Sequence, residues 1–76
     1  MPRFDRAQFL IEFGQRLRRW RCERGMSQLE LAHRSGFAAQ HISNLERGKP
    51  PTLFSAFVLA EALEVHPKIL LFGEEE

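Results

Sequence analysis

The sequence contains one cysteine, one tryptophan and no run of 18 apolar residues. A lone thiol cannot close a disulfide within the chain, and no metal-ligating residues cluster around Cys22, which reads as a half-buried helix residue in a reducing cytoplasm. Without a long apolar run, nothing is expected to span a membrane. Arg3, Asp5 and Arg6 interrupt the apolar residues at the start, where a secretory leader needs them continuous. No segment alternates apolar and polar residues between turn signals, so no strands are expected. There is no Gly-rich phosphate loop, and no helical arrangement brings Ser, His and Asp together in a hydrolase order. His33, His41 and His66 lack metal-ligand spacing with Cys22. Enzymatic activity, a cofactor, a metal and a small-molecule ligand are therefore not expected. The 76 residues leave room for one domain and none for a separate sensing domain. A domain of this size buries only about 60% of its unfolded surface, so association with a second chain would help it.

What is present is a charge asymmetry. The formal net charge is only +1, yet residues 1–49 hold ten Lys/Arg against five Asp/Glu. Residues 50–76 reverse this, with Lys68 against Glu61, Glu64, Glu74, Glu75 and Glu76. Such a split predicts one surface facing an anion and another turned away from it.

The apolar spacing predicts five helices. The first spans about 5–24, capped by Asp5 and ended by Gly25, with Leu10, Phe13, Leu17 and Trp20 on one face. Gly14 either weakens and bends it or divides it into two helices. The second starts at Ser27, where Ser27 and Glu30 have capping-box spacing; Leu31 and Ala32 face inward and Gly36 stops it. The third covers about 39–47, with Ile42 and Leu45 inward, and ends at Gly48 before Pro50-Pro51. The fourth starts at Thr52 and turns Leu53, Ala56, Leu59, Ala60 and Leu63 inward. The fifth runs from Pro67 to Phe72 with proline in its first turn. Glu74–Glu76 form an acidic tail that frays.

Two short helices joined by a tight glycine turn are the geometry of a helix-turn-helix. Ala32 is small where the helices cross, Gly36 can take the positive φ of a sharp turn, and Ile42 fills the angle between them. The same pattern also fits an ordinary helical hairpin. The run Gly25-Met26-Ser27-Gln28-Leu29-Glu30-Leu31-Ala32, then Gly36-Phe37, then His41-Ile42-Ser43-Asn44-Leu45-Glu46-Arg47-Gly48, closely resembles the Cro and phage-repressor-like (XRE-type) helix-turn-helix family. Pro51-Thr52-Leu53 and Leu59-Ala60-Glu61-Ala62-Leu63-Glu64-Val65 continue the resemblance, which covers about 13–72. Small controller proteins of restriction-modification systems are the nearest sub-type by size and layout. The resemblance implies an all-α, five-helix, lambda-repressor-like DNA-binding domain over 13–72. Residues 1–12 are then a helical extension and 73–76 a tail.

The resemblance further implies that the third helix enters the major groove of double-stranded DNA, and its outward side chains suit that role. Gln40, His41, Ser43, Asn44 and Arg47 can all hydrogen-bond to bases or phosphate, and Ala38 and Ala39 can meet a thymine methyl. Gln40 and Asn44 can each pair bidentately with adenine, and no Arg or Lys precedes Arg47 on this face, so a half-site read mainly through A·T pairs is expected. Base-reading candidates are thus Ala39, Gln40, His41, Ser43 and Asn44. Gln28 lies in the first turn of the second helix, which favours an anion, and a glutamine at the matching position in the family holds a phosphate. Arg34, Arg47, Lys49 and Thr52 are further phosphate candidates, while Arg16, Arg18 and Arg19 fit a solvated face equally well. The resemblance pairs Glu46 with Arg21 as a structural ion pair tying the recognition helix to the scaffold. Two departures from the family pattern stand out. Pro50 and Pro51 remove two backbone N–H groups, and Ala38 replaces a capping Ser or Thr, at about 1 kcal/mol.

Phe54, Phe57 and Val58 lie off the inner stripe of the fourth helix, and Ile69 and Phe72 off that of the fifth. Together they predict an exposed apolar interface in the acidic half. A two-fold homodimer there presents two recognition helices to half-sites of a palindromic operator. Alternatively, Phe9, Phe13 or the N-terminal segment covers the patch within one chain, or residues 1–12 themselves dimerise. The expected function is a sequence-specific transcriptional regulator in the cytoplasm, associated with the nucleoid. The competing reading is a protein-interaction module such as an antitoxin or coactivator.

Overall fold

A computed structural model describes residues 3–74; among them are five helices and no strand. They are α1 (Arg6–Glu23), α2 (Gln28–Ser35), α3 (Ala39–Glu46), α4 (Leu53–Leu63) and α5 (Pro67–Phe72). The acidic tail expected at 73–76 lies outside the described residues from residue 75 onward, as do the first two residues of the extension.

α1 is one uninterrupted helix, capped by the Asp5 carboxylate, which accepts from the Gln8 backbone N–H at 3.0 Å. Phe13 and Leu17 on its inner face are fully buried, whereas Leu10 and Trp20 are half-buried. Gly14 does not divide the helix. A Cβ there would stand 2.6 Å from the Leu45 carbonyl oxygen and 2.9 Å from that of Glu46, so the missing side chain is what lets α3 cross α1 closely.

α2 starts with both halves of its capping box in place: Ser27 N–H donates to the Glu30 carboxylate at 2.8 Å, and Glu30 N–H to Ser27 Oγ at 3.0 Å. It ends at Gly36, whose φ of 80° is left-handed and reverses the chain toward α3. Leu31 and Ala32 from α2, Ile42 and Leu45 from α3, and Phe13 and Leu17 from α1 share one core with Leu59, Leu63 and Leu70. α1 packs on α3 and α5, α2 on α3 and α4, and α4 on α5.

Two expectations are revised. Leu53, placed in the inner stripe of α4, is 69% exposed: as the first helical residue it reaches past the core to the rim of a groove shared with Phe9, Leu10, Ala56 and Leu71. The first turn is buried instead at Ser55 and Ala56, and the Ser55 side chain completes a second capping box with Thr52. Cys22 is exposed rather than half-buried, because it lies off the Phe13–Leu17 face near the end of α1.

Candidate nucleic-acid interface

α3 has eight residues and begins at Ala38, which offers no side-chain cap. Its position comes from the scaffold. Ile42 and Leu45 anchor the inner side at full burial. At its last residue the Glu46 carboxylate collects three donors: Arg21 Nε at 2.6 Å, Arg21 Nη2 at 3.1 Å and Gln28 Nε2 at 3.1 Å. Arg21 Nη1 donates in addition to the Met26 carbonyl at 2.8 Å, which fixes the loop between α1 and α2. The two charged side chains are 12% and 5% exposed, so solvent screens this bidentate pair only weakly. Hydrogen bonding to Glu46 holds the Arg21 guanidinium above its ordinary range, against the opposing effect of burial.

The other side of α3 turns outward. Gln40 is exposed, while Ala39, His41, Ser43 and Asn44 are half-buried. Gln40 Nε2 donates to Asn44 Oδ1 at 3.0 Å, and Arg47 Nη2 donates to the same oxygen at 2.7 Å. The His41 ring stands edge-on to Phe37 with centroids 5.2 Å apart, which limits its rotation. Arg34, Arg47, Lys49 and Thr52 are exposed, and of these Arg47 is the C-cap of α3. The Thr52 hydroxyl also accepts from Ser55 N–H at 2.9 Å as the cap of α4. At the start of α2 the capping box takes the N–H of Ser27 and of Glu30. Those of Gln28 and Leu29, in the first turn, are the ones helix geometry leaves to outside partners.

The arginines of α1 do not form a uniform solvated face. Arg16 donates to the carbonyls of Leu70 at 2.8 Å and Leu71 at 2.6 Å, closing the last turn of α5. Burial there lowers its pKa from the ordinary value. Arg24 does the same for α4, donating to Leu63 O at 2.7 Å and Glu64 O at 3.2 Å, and lies over the Trp20 ring together with Arg19. These clamps join residues tens of positions apart, and the only hint of them in the sequence is the density of arginine on one helix. Part of the basic excess of the N-terminal half therefore holds the fold together. Among the described residues no group of three or more His, Cys, Asp or Glu can hold a metal, and no helix is long and apolar enough to cross a membrane.

On α4, Phe54 is 73% and Phe57 49% exposed, and with Val58 and Glu61 they line one concavity. On α5, Phe72 is exposed and Ile69 half-buried. Phe13 sits in the core and Phe9 lines the separate groove beside Leu53, so both are engaged elsewhere.

The helix-turn-helix family model HTH_3 matches residues 17–70. Over 53 residues the chain is 45% identical to an uncharacterized HTH-type transcriptional regulator, y4dJ, of Sinorhizobium fredii, covering 68% of this chain and 69% of that protein. Among solved structures, the restriction-modification controller protein C.AhdI from Aeromonas hydrophila is 40% identical, with a TM-score of 0.78 over 80% of this chain and 94% of that one. The hypothetical transcription factor NHTF from Neisseria is 27% identical, with a TM-score of 0.82 over 95% of this chain and 84% of that one.

Proposed function

The chain belongs to the HTH_3 (XRE-type) helix-turn-helix family of DNA-binding transcriptional regulators, and from that premise we propose that it reads a palindromic operator as a homodimer, in the manner of a small controller-like regulator. One observation carries the reading: α3 is bolted to α1 and α2 through Glu46 while its outer side stays polar and accessible. A helix held from behind and hydrogen-bonding in front is suited to the major groove.

In this reading Ala39, Gln40, His41, Ser43 and Asn44 meet base edges. Arg34, Arg47, Lys49 and Thr52 meet phosphates. Gln28 spends one amide hydrogen on Glu46 and keeps the other for a phosphate at the start of α2. Phe54, Phe57, Val58, Ile69 and Phe72 form the two-fold interface, which sets two α3 helices about 34–36 Å apart on one face of the duplex. The site of action is the cytoplasm, at the nucleoid. The exposed phenylalanines also favour a second reading, in which the chain is a protein-interaction module such as an antitoxin or coactivator and this surface docks its protein partner.

The test is fluorescence anisotropy of a selected palindromic duplex against a scrambled one, over a salt series. Cooperative binding to the palindrome alone is expected, lost in the Gln40→Ala/Asn44→Ala double variant. The log–log salt slope should fall by about one when Lys49 is replaced by alanine. Phe54→Glu should leave a monomer by sedimentation. Binding to neither duplex at low salt rejects the operator reading and leaves protein docking.

A further inference from the structure

The outer stripe of α3 carries a hydrogen-bonded string whose polarity has a single solution. A guanidinium has five N–H donors and no acceptor, so the Asn44 atom 2.7 Å from Arg47 Nη2 has to be the amide oxygen. The same oxygen lies 3.0 Å from the Gln40 amide, which must therefore offer its nitrogen. Arg47, at the C-cap of α3, thus dictates the direction of two amides along the helix. The surface that results is asymmetric. Asn44 has its oxygen engaged twice and presents the N–H groups of Nδ2. Gln40 keeps its Oε1 and the second N–H of Nε2.

We propose that Arg47 is a specificity-determining positioning residue: by holding the Asn44 carbonyl it makes Asn44 a donor to guanine while Gln40 remains a reader of adenine. The inference rests on the DNA-binding reading above. Adenine shows N6–H and N7 side by side and needs one acceptor and one donor from a single amide, which Gln40 still supplies. Guanine shows two acceptors, O6 and N7, and matches the donors that Asn44 has left; thymine O4 is the next best match, and the N4–H of cytosine is rejected. The half-site is then mixed at the Asn44 step and departs there from the A·T-dominated site expected when both amides read adenine.

The experiment is selection from randomised duplexes with the wild-type chain, Arg47→Met and Arg47→Lys, folding being checked by circular dichroism. Wild type should enrich guanine at one half-site position next to an adenine position. Arg47→Met keeps the stem but has no donor; it removes one of the two donors on the Asn44 oxygen, opens that acceptor site to adenine N6–H, and should shift the guanine-to-adenine ratio about tenfold toward adenine at that one position. Arg47→Lys, again a pure donor, should retain the wild-type preference. Independently of any variant, 7-deazaguanine at that position removes N7 and should weaken wild-type binding about tenfold. An Arg47→Met profile identical to wild type, with affinity lowered evenly across sequences, makes Arg47 a phosphate contact only, with no part in orienting Asn44, and overturns the inference alone. Tolerance of 7-deazaguanine by wild type overturns it likewise. A wild-type pool that enriches nothing overturns the DNA reading together with it.

Discussion

α3 has eight residues and starts at Ala38 with no side-chain cap; α4 has eleven, and Thr52 and Ser55 cap it reciprocally. α4 also owns a continuous buried stripe of Ala56, Leu59, Ala60 and Leu63. An isolated eight-residue helix is far below the length at which helices persist in water, so α3 owes its order to what it touches. Those contacts concentrate at its back and its C-terminal end: Ile42, Leu45, the Gly14 crossing and the Glu46 carboxylate. The contrast explains how the outer side of α3 is left for recognition. α4 draws its order from its cap as well as from its stripe, whereas α3, with no cap of its own, depends on its tethers alone.

The Glu46 tether is where α3 depends most on its neighbours. Glu46→Ala leaves the largely buried Arg21 guanidinium without its carboxylate and Gln28 without its acceptor. Loss of one partner of a buried pair is strongly destabilising, and about 3 kcal/mol is expected, read as a lower urea midpoint at unchanged m. A loss below about 0.5 kcal/mol would place the pair with ordinary surface salt bridges and dissolve the contrast.

Gly14→Ala comes next. Alanine favours a helix interior over glycine by about 1 kcal/mol, so propensity alone predicts stabilisation. The added Cβ meets backbone oxygens at 2.6 and 2.9 Å, which cannot swing aside as a side-chain tip can. α3 must move as a body, and a net loss of about 2 kcal/mol is expected. Gln15→Ala, one residue along on the exposed side, serves as the control and should stay within about 0.5 kcal/mol. Stabilisation by Gly14→Ala would show that α3 is free to shift.

The same residues separate what is legible in the sequence from what is not. Ser27 with Glu30, Gly36, Thr52 and Pro67 act on backbone groups within four residues, so their spacing alone locates helix starts and stops, and the structure has them there. The inward faces of α2 and α3 follow from periodicity for the same reason. Gly14 reads locally as a weak point because its reason lies in α3, which a local pattern does not reach. Arg16 fits a solvated face as well as any other role, and Arg24 carries no local signal, because their acceptors are carbonyls at the ends of α5 and α4. Leu53 fits the stripe of α4 by spacing, but spacing does not say where the core stops. At the candidate interface the residue types are legible, whereas the direction of the Gln40 and Asn44 amides depends on a guanidinium that only the fold places.

The caps offer a smaller, two-sided test. Thr52→Ala should cost about 1 kcal/mol, because Ser55 N–H loses its acceptor at the start of α4. Ala38 already has the extended backbone of a cap, φ −76° and ψ 147°, so Ala38→Ser needs no rearrangement and should gain up to about 1 kcal/mol. Thermal midpoints of the two variants should move in opposite directions. A gain at residue 38 with unchanged operator affinity would mean that α3 lacks a cap without using that lack.

The smallest effect expected is at α2, whose cap titrates. Glu30 accepts from the Ser27 backbone N–H, and this bond, reinforced by the Ser27 side chain, lowers its pKa below the ordinary 4.5. A carboxyl whose folded pKa is depressed binds fewer protons folded than unfolded. Its contribution is therefore complete above the unfolded value and is lost as pH falls through the folded one. Glu30→Gln keeps an acceptor for the Ser27 N–H but carries no charge to titrate. Wild type should be the more stable at pH 7, and the gap between the two urea midpoints should close as pH is lowered toward 3. A gap that stays constant over that range would assign the capping contribution of Glu30 to hydrogen-bond geometry rather than charge. α2 would then be capped like α4, by neutral groups, and α3 would stand alone as the helix whose start is held by nothing of its own.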